Sequence, residues 1–287
     1  MRQKDHFTWT PKRVTAAAAA FYAQHSRDVL NMATALAVFK RYEGLVDAMG
    51  RTFGHLSPEG PEGIFPEFYE QRRNFKKMID DSLPARTEFG LTRCVDSFLV
   101  YISDVLTEAM VARPELLKTQ EQVALEDVLT HANLSEFISW VAERRVAQLS
   151  FKGVNEISRH VEKTLGLSIH QEEVDWVALK QGVAIRNLIV HRRGVIDDRF
   201  KRLMEDSTLT RGDLFAVSHD DYLRIAKSVM KIVGEFDGRI AQKFSLTTLD
   251  ATAETWYSPG RWGEQGYGED SAVSGPASEA SVAEAGE

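Results

Sequence analysis

A guanidinium, an amide and an imidazole fall within six residues at Arg186-Asn187-Leu188-Ile189-Val190-His191, and two further arginines, Arg192 and Arg193, follow directly. An imidazole titrates near neutral pH and can take or give a proton during a reaction. A guanidinium forks onto a phosphate or carboxylate and stabilises negative charge as it develops. An amide can orient either group. On a helix, Asn187 and His191 share a face because they are four residues apart. Arg186 lies about 140° further round the axis, within reach of its long side chain. A purely structural reading also exists. Arginines and a protonated histidine near a helix C-terminus meet the negative end of its dipole. Spacing alone therefore does not decide between the two.

The elements that must hold these residues are helices. Residues 171–191 carry one apolar face (Val174, Val177, Ala178, Ile185, Leu188, Ile189) and a second one (Trp176, Leu179, Val183, Val190). A helix apolar on two sides is buried between neighbours, one of which can be another subunit. Gly182 would permit close approach of one of them. Ser168-Ile169-His170-Gln171 has a box-like start for this helix, and Gly194 is placed to end it. A short helix near 195–206 and an extended piece over 213–217 follow. Ser218 with Asp221 then caps a last helix whose seam is Tyr222, Ile225, Val229, Val233, Phe236 and Ile240.

Upstream, Thr10-Pro11 reads as an N-cap and first helical position, and Val14, Ala18, Phe21, His25, Val29, Met32, Leu36 and Phe39 continue at helical spacing. Residues 54–66 form a Gly/Pro loop. Helices are expected over 67–82 and 88–112, then 134–149 after the capping box Asn133-Leu134-Ser135-Glu136, then 152–165. The stretch 115–258 contains no proline, the strongest helix breaker. The fold class is all-α, a helical bundle. The cluster Arg72, Arg73, Lys76 and Lys77 is read first as a solvated face and second as a phosphate contact.

The string Ala184-Ile185-Arg186-Asn187-Leu188-Ile189-Val190-His191-Arg192-Arg193-Gly194-Val195-Ile196-Asp197 resembles the signature of the HEPN superfamily, an R-x4–6-H motif with a polar residue after the arginine. The order of helices over 120–245 also looks like that family. The resemblance implies a bundle that often dimerises, with two motifs facing across a two-fold axis, and RNA as substrate. Many members are metal-independent ribonucleases. His191 would then act as base on a ribose 2′-hydroxyl or as acid toward the leaving 5′-oxygen. Arg186 would stabilise the phosphorane, Asn187 would orient His191 or the phosphate, and Arg192 and Arg193 would add backbone contacts. The products would be a 2′,3′-cyclic phosphate and a 5′-hydroxyl. A toxin or phage-defence role, with an antitoxin as possible partner, goes with that reading. The alternative is a non-catalytic HEPN-like module that binds a nucleotide or a protein, and a third reading makes the motif coincidental.

The organisation implied is an N-terminal helical region, 1–119, which can belong to the same bundle; a HEPN-like domain, 120–245; and an acidic tail, 246–287. Residues 250–287 hold eight acids and one base, which accounts for the whole formal charge of −7, so the preceding body is neutral. That excludes a strong overall positive field as the basis for nucleic-acid binding. The tail is rich in Gly, Ser, Ala and Glu and is expected to be disordered. Its Trp256, Tyr257, Trp262 and Tyr267 read equally as docking residues or as part of a loose chain. The single cysteine, Cys94, allows no intrachain disulfide and reads as a small buried hydrophobe. The eight histidines are scattered, no metal-ligand cluster stands out, and no cofactor is implied. No apolar run is long enough to span a membrane, Ala16–Ala20 reads as helix rather than as an export signal, and a cytoplasmic protein is the expectation.

Overall fold

The computed structural model describes residues 11–117, 123–150, 153–204 and 208–251. They belong to one compact unit, Met1–Tyr257; a second unit, Ser258–Glu287, lies outside the described residues. The chain is all-α, as expected. Helices α1 (Ala16–Phe53) and α3 (Pro66–Ala112) form a long antiparallel hairpin joined through a 3-10 turn at Gly54–Leu56 and the single turn α2 (Pro61–Ile64). After α4 (Leu125–Leu129) come α5 (Leu134–Ser150), α6 (Val154–Leu165), α7 (Glu173–Arg192), α8 (Asp198–Met204) and α9 (His219–Phe244). A two-residue strand, β1 (Arg13–Val14), pairs antiparallel with β2 (Leu249–Asp250).

Several starts and stops follow their local chemistry. The Asn133 side chain accepts from the Glu136 N–H at 2.9 Å, while the Glu136 carboxylate reaches back to the Ala132 N–H at 2.8 Å, which satisfies two helix-end donors of α5. Ser218 caps α9 by accepting from the Asp221 N–H at 3.0 Å. The stripe Tyr222, Ile225, Val229, Val233, Phe236 and Ile240 is buried along its whole length.

Elsewhere the expectations need correction. The first helix does not begin at Thr10-Pro11. Thr10 lies outside the described residues, and Pro11 to Val14 precede a helix capped by Thr15. The Thr15 hydroxyl accepts from the Ala18 N–H at 3.2 Å and donates to Asp237 at 2.6 Å. The Thr15 N–H also donates to Asp237, at 2.9 Å. Two strong bonds to a buried carboxylate from α9 hold the cap at Thr15, five residues after the expected one. The body also continues past 245: Leu249 and Asp250 pair with β1, and Leu246, Leu249 and Ala251 pack on the core. The expected tail and its aromatics lie outside the described residues from position 252.

The helices expected over 67–82 and 88–112 are one helix of 47 residues that includes Pro84. An internal proline removes one hydrogen bond and bends a helix. Both flanks carry helical periodicity, and α1 runs alongside throughout, so the helix persists.

Helix α3 is the centre of the bundle, packed on α1, α5, α7 and α9. Asp175 of α7 accepts from Ser228 and Lys231 of α9 at 2.7 and 2.8 Å, while Gly182 lies against Ile225, so α7 and α9 are antiparallel. Gly90 lies against Tyr222, and Tyr101 bonds Asp237 at 3.4 Å, so α3 and α9 are parallel. Helix α7 therefore runs opposite to α3, and its C-terminal end points to the end of the bundle from which the distal halves of α1 and α3 project as an arm.

Candidate functional site

The motif helix starts at Glu173, after Glu172, rather than at the 168–171 box. Ile169 is buried and the His170 ring stacks on Trp176 at 4.5 Å between centroids, which holds that segment against the helix instead of in its first turn. Trp176, Ala178, Leu179, Gly182, Ala184, Ile185 and Leu188 are buried, but Val174, Val177 and Val190 are exposed. Both expected apolar faces have buried members, Ala178, Ile185 and Leu188 on one and Trp176 and Leu179 on the other, because α7 packs on α3, α8 and α9. A Cβ on Gly182 would stand 2.7 Å from Ile225 Cγ2, and this is the close approach that seats α7 on α9.

Two residues in the left-handed region end the helix. Arg193 has φ 54° and Gly194 φ 78°, and the Gly194 N–H returns to the Leu188 carbonyl at 3.2 Å. This wraps the last turn in a Schellman-like stop. The chain then forms a short ribbon: Ile196 N–H to Asp213 O and Phe215 N–H to Gly194 O, both 2.9 Å. Val195 bridges Leu214 across this ribbon, and both are exposed. Val190, Val195 and Leu214 thus lie exposed at the same end of the molecule as His191.

Arg186 is half-buried and held on two sides. Its Nε donates to Asp96 Oδ1 of α3 at 2.8 Å, and its Nη1 donates to Asn187 Oδ1 at 3.1 Å. These bonds fix the plane of the guanidinium and leave Nη2 without a partner among the described residues. Asn187 thus meets Arg186 through its amide oxygen, which leaves its amide N–H groups for the role the resemblance implies, orienting His191 or the phosphate. His191 is exposed one turn further on, with no hydrogen bond or ion pair to Arg186 or Asn187. Arg192 lies 3.6 Å from Asp197, and Arg193 is exposed at the left-handed position. One chain thus brings Arg186 and Asn187 together and leaves His191 facing outward.

Asp96 is the site residue that sequence reading missed. It interrupts the apolar run Leu91, Cys94, Val95, Phe98, Leu99. A carboxylate among core positions needs a partner, which was the available signal. Which arginine supplies it is a tertiary fact.

No group of three or more His, Cys, Asp or Glu side chains arranged to hold a metal occurs among the described residues, nor is any described helix long and apolar enough to cross a membrane. Compared with family models, curated proteins and solved structures, the chain matches none of them.

Proposed function

We propose that this chain is a metal-independent endoribonuclease of HEPN type, acting on RNA as a dimer. The observation that carries the reading is the fixed guanidinium of Arg186, oriented by Asp96 and Asn187, at the end of a helix whose next turn presents an exposed imidazole. In the reaction a ribose 2′-oxygen attacks the adjacent phosphorus as His191 takes its proton. The P–O5′ bond breaks, and the leaving 5′-oxygen receives a proton. Arg186 Nη2 stabilises the charge that builds on the phosphorane oxygens. Because base and acid act at opposite sides of the phosphorus, two His191 side chains across a two-fold axis would divide the roles. The exposed Val190, Val195 and Leu214 supply an apolar surface at that end. The neutral body fits binding to a few phosphates better than a general polyanion grip, and the neighbouring Arg192 and Arg193 supply local contacts. A toxin or phage-defence role restrained by an antitoxin stays with this proposal.

One observation favours a second reading, a non-catalytic module that binds a nucleotide or a protein. The Arg186 Nε is committed to Asp96 and no hydrogen bond links the motif histidine to its neighbours within the chain, as in a structural arginine. The test separates the two. Purified wild type and His191→Ala, matched by circular dichroism, are incubated with total RNA in EDTA. The expected result is cleavage by the wild type with cyclic phosphate ends, reduced at least about 100-fold in the variant. Equal cleavage by both removes His191 from the site. Cleavage by neither leaves the binding module.

A further inference from the structure

The arm carries an organised surface that the proposed site does not use. Among the described residues, the side-chain bonds and ring contacts that α1 beyond about residue 33 and α3 before about residue 87 make with other elements run between these two helices or to the turns at the tip. Phe39 and Val46 of α1 are buried in their shared seam. On α3, Gly90 faces Met32 of α1, and Ile79, eleven residues earlier, shares that direction. A large apolar residue stands immediately before each of these inward positions: Val38, Leu45, Met78 and Phe89. One residue back is a turn of about 100°. Because the helices run in opposite senses, that turn carries all four to the same side of the hairpin. Tyr42 and Phe75 meet there, ring to ring at 5.4 Å. Val38, Leu45, Phe75, Met78 and Phe89 are between 44% and 65% exposed. The opposite side is charged, and Arg72 bridges to Asp47 and Glu43 of α1 at 3.0 and 3.7 Å. The arm is thus a two-helix layer whose exposed apolar residues gather mainly on one face, with Leu36 and Leu83 on the charged side, and nothing in the chain's described residues covers that face.

We infer that this face is the self-association surface of the protein, and that its occupant is the same face of a second copy. Two observations select that occupant. The first is area. About 25 residues per helix at about 1.5 Å each give a layer about 37 Å long and about 20 Å wide. Pairing two such layers buries about 1,400 Å² in total, within the range of a stable interface. The second is charge. Arg41 edges the face on α1 and Asp81 edges it on α3. The pairs Asp28–Arg93 at 3.3 Å and Asp47–Arg72 at 3.0 Å fix the relative level of the helices, and place residue 41 beside about residue 79. A two-fold axis along the arm lays α1 of one copy on α3 of the other and brings Arg41 opposite the second copy's Asp81, twice. The alternative, α1 on α1 about an axis that crosses the arm at this level, would oppose Arg41 to Arg41 and Asp81 to Asp81. The chosen axis also keeps both bundles at one end of the dimer, with each His191 on the arm side of its own bundle.

The inference is independent of whether the motif cleaves RNA, because the readout is molecular mass. Full-length protein is measured by sedimentation equilibrium, alongside Met78→Glu, Arg41→Asp and the double variant Arg41→Asp/Asp81→Arg, each checked for unchanged helicity. The wild type is expected to be a dimer at micromolar concentration and Met78→Glu a monomer. Arg41→Asp should weaken the dimer at least several-fold, and the double variant should restore it. A monomeric wild type overturns the inference. So does a dimer that survives Met78→Glu, including one that dissociates instead on Val190→Glu, which would place the interface at the end of α7. Failure of the double variant to restore the dimer overturns the pairing of α1 with α3.

Discussion

The two halves of α3 belong to one unbroken helix and each carries large apolar residues, more sparsely in the outer half, yet they meet opposite environments. Between Leu91 and Met110, the side chains of Leu91, Val95, Phe98, Ile102, Val105 and Leu106 are buried, because α1, α5, α7 and α9 surround them. Between Phe68 and Phe89, Phe75, Met78 and Leu83 are exposed, and among the described residues the long helix that this half of α3 meets is α1. Apolar periodicity records that a helix has a face to cover. It does not record how many elements arrive to cover it, nor from which chain.

Substitutions of one residue type in the two regions would break or sharpen this contrast, and the largest effect is expected in the bundle. Leu91→Ala should lower the unfolding free energy by about 2–5 kcal/mol, through lost burial and the cavity left behind, read by urea denaturation. Gly182→Val should cost about 1–3 kcal/mol. Its side chain would press on Ile225 and Val95 in the seam between α7, α9 and α3, and the β-branched core neighbours have little room to yield.

Smaller still is a pH effect at the junction of α1 with α3. Glu108 accepts from the Ala17 N–H at 2.8 Å, and burial, the largest cause, raises its carboxyl from the ordinary 4.5 to about 7. The folded state therefore holds this proton more tightly than the unfolded chain. Its contribution to stability is complete below about pH 4.5 and is lost as pH rises through about 7. Glu108→Gln retains an oxygen to accept from Ala17. Between pH 5 and 8 the wild type should lose about 2–4 °C in Tm relative to that variant. A parallel pH dependence of the two proteins would remove Glu108 from the account. The smallest change is expected in the arm: Leu36→Ala, on the charged side and exposed, should fall within about 0.5 kcal/mol. A loss comparable to that of Leu91→Ala would mean that the arm is packed as tightly as the bundle.

Much of the fold was legible because its signals are local. The seam of α9 and its Ser218 cap, the Asn133–Glu136 box and the end of α7 near Gly194 each depend on residues within a turn or two of one another. The misplacements share a different cause. The start of α1 shifted to Thr15 because its partner, Asp237, is 222 residues away. Residues 249–250 joined the body because β1 offered an edge to pair with. The site divides along the same line. The sequence placed Arg186, Asn187 and His191 on one helix, since helical spacing is set by backbone geometry.

Sequence by itself thus determined an all-α chain, the faces of its long helices, and a motif of arginine, amide and imidazole at one helix end. Tertiary structure decided that Asp96 holds the arginine and that the outer halves of α1 and α3 stand clear of the bundle. The physical reason is range. Propensity, capping and periodicity act between neighbours along the chain, whereas ion pairing, burial and exposure depend on which distant segments come to lie alongside.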